Sequence, residues 1–454
     1  MPAELRMTAT HYGTLHDHLL RDDAEHAAIL ICGVNEPRNE ILACREVVLV
    51  GDEDLDEGSG RLLLHVSPLI IARAAKRAAQ EGLTVVVCHS HPFPGPVEPS
   101  MIDLDTELEL CGRVLPGRLA GRPAGALILG PDGYSGRLWS NGTPTPLALR
   151  VNGRAVASPG IGDETMPTDQ DARHLQIWGR RGQSALRSSS VAVVGVGGTG
   201  SHVAIQLAHL GVGNLVLVDP DVVEASNLNR LIGAEHSDVG RLKVDVIADA
   251  VQGIRPEISV LAVAESVVEV DGEALADSDL IICCTDGHGS RALLTEMAAQ
   301  YLVPLIDLGV EVQAAGSSTR AGGGVRVVRP GDPCLHCMGI LDPALVREEF
   351  LTDAQQNDER ERGYLRGSDE PAPSVVALNG VVASLAVLEA LDQLLGLFAR
   401  TPSRVLYRAE ARSVTTVEVT RDSSCYVCGA HGLIGIGAAR KLPRRPKEPR
   451  TESA

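Results

Sequence analysis

The chain has 454 residues, longer than one hydrophobic core usually organises, so two domains are the starting expectation. Its 41 Lys and Arg against 59 Asp and Glu give a formal net charge of −18 and a pI near 5.2, which would repel a nucleic-acid backbone or anionic membrane and points to protein or small-molecule substrates. No uninterrupted apolar run approaches the roughly 20 residues of a membrane helix, and the N-terminus is too polar for a secretory signal, so the protein is read as cytoplasmic.

In chain order, apolar runs over 26–33, 46–51, 61–66 and 83–88 predict strands, and residues 67–82 carry helical spacing. Mixed strands and helix over residues 1–150 predict an α+β domain. Residues 151–169, rich in Gly, Pro, Ser and charge without apolar periodicity, predict a linker. Over 170–435 the runs VAVVG, NLVLVD, ISVLAVA and LIICCTD alternate with helical stretches, which predicts an α/β, Rossmann-like doubly wound parallel sheet. The basic stretch 436–454 is expected to be a disordered tail.

The densest chemical cluster of the first half follows the run ending at Cys88. His89 and His91 stand one residue apart at a strand end, and Asp103 comes from the next segment. Two imidazoles and a carboxylate supply three ligands to zinc and leave a fourth position for water. His-x-His beside prolines is, by itself, equally a surface turn; Pro92, Ser100 and Asp103 at their spacing favour the metal.

His89-x-His91-Pro92, a spacer, then Ser100-x-x-Asp103 resembles the JAMM/JAB (MPN) metalloprotease motif, which a glutamate on an earlier segment precedes. Glu25, just ahead of the strand ending at Gly33, is the best match; Glu36 and Glu40 lie nearby. The resemblance, over roughly residues 10–145, implies that His89, His91 and Asp103 hold a catalytic zinc, that Glu25 is the general acid/base, and that Ser100 helps stabilise the oxyanion. It also implies cleavage of isopeptide or peptide bonds after ubiquitin or a ubiquitin-like protein.

In the second half, the strand VAVVG runs into Gly195, Gly197, Gly198 and Gly200 and then an apolar helix, with Asp219 closing the next strand. Glycines let a backbone approach phosphates, a helix N-terminus favours their charge, and Asp219 can bond a ribose hydroxyl. The glycines alone most often mean a nicotinamide or flavin dinucleotide. Asp221, Asn227, Arg230, Lys243, Asp286 and Arg291 shift the reading, because displacement at an ATP α-phosphate develops negative charge that Arg and Lys stabilise.

This series resembles the ThiF/MoeB/ubiquitin-activating adenylyltransferases over roughly residues 170–435. The resemblance implies that Asp219 holds the ribose, that Asn227, Arg230 and Lys243 contact the triphosphate, and that Asp286 binds magnesium or orders the acyl-adenylate. Arg173 would reach the ATP of a second copy, which implies a homodimer. Leu231 and Gly287 depart from the family's usual glutamine and asparagine.

Two knuckles, Cys334-x-x-Cys337 and Cys425-x-x-Cys428, have the spacing of a closed four-cysteine structural zinc. Residues 338–380, where ubiquitin-activating enzymes carry their acceptor cysteine, contain none. Either the reaction stops at the acyl-adenylate or a hydroxyl, Ser374 or Ser368, takes the acyl group as an oxyester. The helix cap is the plainer role for Ser374.

Together these features predict one polypeptide with two activities on a ubiquitin-like protein ending in glycine: adenylation of its C-terminus using ATP and magnesium, and zinc-dependent processing or deconjugation. A conjugating-enzyme-like protein is a further expected partner. The rival reading is maturation and activation of a sulfur carrier for cofactor or amino-acid biosynthesis.

Overall fold

The computed structural model describes residues 3–36, 38–56, 65–155, 168–270, 272–315, 318–362, 373–398 and 402–446. The chain divides into two compact units: residues 1–163 with 299–302 and 431–441, and the remainder.

The first unit contains β1 (Ala3–Met7), α1 (Ala9–Leu19), β2 (Ala27–Val34), β3 (Ile41–Leu49), α2 (Pro68–Gln80), β4 (Thr84–Ser90), α3 (Met101–Glu107), a π-helical segment Leu108–Val114, α4 (Leu115–Arg118), β5 (Ala124–Gly130), β6 (Gly133–Ser140), β7 (Thr143–Val151) and β8 (Arg154–Ala155). The sheet order is β1-β3-β2-β4-β5-β6-β7-β8, and β1 also pairs with β7, so seven strands close on themselves. β2 is buried along its whole length because it serves two cores, which is why AAILICGV reads as a continuous apolar run. Ala28, Leu30 and Cys32 face Leu15 and Leu19 of α1, whereas Ala27, Ile29 and Ile31 face Ala75 and Ala78 of α2. Most of the expected 61–66 strand lies outside the described residues; Val66 makes one isolated bridge with Leu55.

The second unit contains α5 (Leu175–Ser188), β9 (Ser190–Val194), α6 (Gly198–Leu210), β10 (Asn214–Val218), α7 (Lys243–Ile254), β11 (Ser259–Val263), α8 (Glu273–Ala276), β12 (Leu280–Cys283), α9 (His288–Tyr301, ending in the first unit), β13 (Leu305–Ala315), β14 (Ser318–Val328), α10 (Pro343–Glu349), α11 (Asp353–Glu361), α12 (Val376–Leu395), β15 (Arg404–Arg408) and β16 (Ser413–Val417). Its sheet runs β11-β10-β9-β12-β13-β14-β15-β16: five parallel strands, then three added antiparallel. The parallel part reverses direction between β9 and β12, and the crevice at such a switch point is where ligands bind in doubly wound sheets.

Three expectations change. The linker is shorter than 151–169: β7 runs to Val151, and Asp171 is buried and ion-paired to Arg187 and Arg255 at 2.5 and 2.8 Å. The expected disordered tail does not begin at 436. Residues 431–441 belong to the first unit, where the Gly33 N–H donates to the Gly435 carbonyl (2.9 Å), and a Cβ on Gly33 would lie 2.2 Å from the Ile436 carbonyl carbon. Arg445 is hydrogen-bonded within the second unit, and 447–454 lie outside the described residues. Finally, α12 is long and apolar enough, by length and composition, to cross a membrane. It packs instead on α6 and the sheet, with Val382, Ala383, Ala386 and Ala390 fully buried.

Candidate functional site

The histidine site grows from the pairing of β2 with β4. Ala27 opposes His89, and the Ser90 N–H donates to the His26 carbonyl (3.0 Å), so the same register sets Glu25 across from His91. Ser100 caps α3: its Oγ accepts from the Asp103 N–H (3.1 Å), while its own N–H donates to Asp103 Oδ2 (2.7 Å). That reciprocal capping box turns the Asp103 carboxylate toward the histidines. His89 Nε2 and His91 Nε2 lie 3.3 and 3.4 Å from its two oxygens.

All three ligand atoms fall within 4.8 Å of one another, and His89 Nε2 is buried without a hydrogen-bond partner, so this donor set fits a cation with one open position. Burial would raise the Asp103 carboxyl, but the nearby His89 ring and the hydrogen bonding with Ser100 outweigh it and hold the group well below the usual carboxylate range. Burial raises the Glu25 carboxyl, with His89 opposing and Asp103 reinforcing the shift, so Glu25 is within electrostatic reach of both. Of the two neighbouring glutamates, Glu36 lies 3.9 Å from Arg122, and the Glu40 N–H donates to Asn35 Oδ1 (2.9 Å).

The glycine loop sits at the β9/β12 switch point. Gly195 has φ +87°, and a Cβ on Gly200 would lie 1.8 Å from the Gly195 carbonyl oxygen, so this cradle admits no side chain there. Asp219 at the end of β10 is buried; its Oδ2 accepts from the Val196 N–H (2.8 Å) and its Oδ1 from the Asp221 N–H (3.0 Å). Burial, the largest influence, raises its carboxyl. Lys243, the first residue of α7, reaches Asp221 at 2.7 Å and Asp219 at 4.0 Å. Asn227 is buried; Arg230 Nη1 donates to the Ser226 carbonyl and Asn229 Oδ1, both at 3.0 Å, and its Cδ lies 3.3 Å from where a Gly198 Cβ would be. Gly197 has open space around it, whereas Asp286 and Arg173 are exposed. Arg291 ties Asp286 in place through its carbonyl (3.3 Å) and binds buried Asp307 (2.9 Å).

The four cysteines converge. Sγ separations are 4.0 Å for Cys334–Cys337, 3.6 Å for Cys334–Cys425 and 3.4 Å for Cys337–Cys428, which suits a tetrahedral thiolate site. His336 stays outside this set and pairs with the Tyr426 hydroxyl (2.8 Å).

Ser374 does not cap α12: the cap is Val375, with no side-chain bond. Its hydroxyl instead accepts from Asn379 Nδ2 (3.1 Å), and that buried amide lies 2.5 Å from the Cβ position of Gly198. Ser374 is therefore held beside the glycine loop, while Ser368 lies outside the described residues. Asn379 was missed because, inside an apolar helix, an amide carries no spacing signal. Glu349 was missed for a similar reason. Its carboxylate accepts from the Gly289 and Ser290 N–H groups (2.8 and 3.1 Å), capping α9. A Cβ at Gly287 would come 2.4 Å from that carboxylate, which accounts for glycine where the family pattern has asparagine.

A phosphate-fitting glycine cradle at the switch point, a buried carboxylate on the second strand and cations on the following loop define a doubly wound nucleotide-binding domain carrying a four-cysteine site. The chain belongs to the ThiF family, whose pattern matches residues 170–427. It is 32% identical over 250 residues to a molybdopterin-synthase adenylyltransferase of Escherichia coli K12, covering 55% of this chain and 90% of that one. It is 31% identical over 272 residues to a SAMP-activating enzyme E1 of Haloferax volcanii, covering 59% and 91%. The match to an adenylyltransferase and sulfurtransferase uba4 of Aspergillus niger is 35% over 274 residues, 58% of this chain and 52% of that one.

Proposed function

We propose that the second unit adenylates the C-terminal carboxylate of a ubiquitin-like or sulfur-carrier protein, and that the first unit is a JAMM-type zinc hydrolase acting on the same protein. The observation carrying the first part is Arg230 packed against Gly198 at the switch point, in a family whose relatives are adenylyltransferases. A carboxylate oxygen attacks the ATP α-phosphorus, the bond to the β-phosphate breaks, and pyrophosphate leaves with its electron pair. Asp219 holds the ribose, the glycine-loop amides and Asn227 receive the phosphates, and Arg230 and Lys243 offset the charge that develops. Asp286 would hold magnesium, and exposed Arg173 would reach a second copy's site in a homodimer. Modifier-dependent ATP–pyrophosphate exchange with glycine-terminated candidates tests this.

For the first unit, His89, His91 and Asp103 would hold zinc, which when bound supplies a Lewis acid and an acidified water. Glu25, whose carboxyl burial raises, would accept a proton there, and the Ser100 O–H would face the developing oxyanion. Glu25→Gln is expected to reduce release of a C-terminal extension from the modifier by about 100-fold or more, with zinc content unchanged. Undiminished cleavage would remove Glu25 from the role.

The absence of a cysteine from 338–380 favours two outcomes for the acyl-adenylate. It is passed to sulfur as in carrier activation, giving a thiocarboxylate, or Ser374 displaces AMP and forms an oxyester on the way to a conjugating-enzyme-like partner. Mass spectrometry of the intact protein with ATP and modifier separates them. A base-labile, thiol-insensitive adduct lost in both Ser374→Ala and Asn379→Ala is the oxyester result; an adduct surviving Ser374→Ala excludes that serine.

A further inference from the structure

The antiparallel part of the second sheet has one face under α12, where a Cβ on Gly323 would meet Val382 at 2.5 Å. The opposite face forms a groove of about 440 Å³ that the adenylation machinery described above does not use. Gly309 on β13 and Gly322 and Gly324 on β14 supply no side chains of their own, which lets the Arg291 and Arg326 guanidinium groups lie over Gly309 and the Arg326 guanidinium and Leu406 over Gly324, so the floor itself is lined by cations. The walls are Arg320, Arg326, Arg404 and Arg408, with Arg291 at one end.

This concentration of cations is anomalous in a chain of net charge −18. It is also unfavourable for the free protein. Arg326 and Arg404 are direct cross-strand partners, an arrangement in which like charges repel. Asp307 neutralises Arg326 (2.8 Å) but shares its carboxylate with Arg291. Arg404 Nε is buried without a hydrogen-bond partner, and so is Arg326 Nε. Among the described residues no carboxylate lies within ion-pair distance of Arg320, Arg404 or Arg408; of the two acids on the rim, Glu410 accepts from the Ala321 N–H (3.5 Å) and Glu311 from Gln313. Clustered, mutually repelling guanidinium groups with few acidic partners suit a site for carboxylates.

Arg291 at one end of the groove also donates to the carbonyl of Asp286, a residue of the proposed reaction centre. We infer that this groove binds the segment preceding the C-terminal glycines of the protein substrate, and that it selects segments carrying Asp or Glu. The inference rests on the proposed adenylation of a chain terminus, because that reaction sets the direction in which the bound segment runs.

The test uses the full-length protein and fluorescein-labelled synthetic peptides ending in Gly-Gly, identical except that the preceding residues are glutamate, glutamine or lysine. Anisotropy is read without nucleotide, so it does not depend on adenylation. The glutamate peptide should bind about tenfold or more tightly than the glutamine peptide, and the lysine peptide not measurably. Arg404→Glu should abolish that preference. Arg408→Gln, at an exposed position with little bearing on folding, should weaken glutamate-peptide binding about tenfold and leave the glutamine peptide unaffected. Equal binding of the three peptides, or a glutamate preference surviving both substitutions, overturns the inference. ATP–pyrophosphate exchange on the same samples separates the two proposals: exchange indifferent to tail charge sinks the groove alone, and charge-selective binding without exchange for any substrate sinks the adenylation reading.

Discussion

Arg230→Ala is expected to lower modifier-dependent ATP–pyrophosphate exchange by about 100-fold or more, while the melting temperature stays within about two degrees of wild type. The guanidinium is half-buried, its carbon stem lies against Gly198, and one nitrogen is pinned by the Ser226 carbonyl and the Asn229 amide oxygen. Such a preorganised cation costs no reorganisation when charge appears on the phosphates, which is why its removal should act on kcat more than on KM. It is not part of the buried apolar cluster, so the fold should tolerate its loss. Asp286→Ala should match it in magnitude, because that carboxylate lies at the end of β12 on the other side of the crevice. Exchange retained within about threefold in both variants would remove these two residues from the reaction.

The second large effect concerns stability. Cys428→Ser is expected to lower bound zinc by one equivalent and the melting temperature by about 10 °C or more, because a closed thiolate site contributes its binding free energy to folding. His89→Ala should remove the other equivalent with little change in melting, since its half-exposed site stands at a strand end outside both cores. If both variants melt like wild type, the cysteines hold no structural ion. If both melt early, the histidine site is structural rather than hydrolytic.

Features encoded by short-range spacing were legible from the residues. The glycine loop, the two cysteine knuckles and His89-x-His91 each report local geometry; the four cysteines converge, and so, separately, do His89, His91 and Asp103. The closed sheet of the first unit was not legible, because the parallel pairing of β1 with β7 joins segments separated by most of a domain and leaves no periodic mark. Nor was the arginine groove. In AGGGVRVV three consecutive glycines carry no strand signal, yet they continue an 11-residue strand whose groove face presents Arg320 and Arg326 on either side of Gly322 and Gly324. Ser374 was legible as a hydroxyl in the right stretch of chain, but its neighbour Asn379, one helical turn into α12, becomes visible only when Gly198 is set beside it in space.

The return of residues 431–441 to the first unit bears on how the protein is made. Gly33 of β2 hydrogen-bonds to Gly435, so a strand near the start of the chain waits for a partner near its end. At the usual rate of about 5–20 residues per second, the ribosome spends many seconds on the intervening chain. The first unit thus emerges ahead of the second and is completed after it, as a nascent chain with one seam open until the second unit has been translated. Ribosome profiling with stalled chains, or a stop codon placed after Ala430, would reveal that seam as a site of protease sensitivity along β2 and β3.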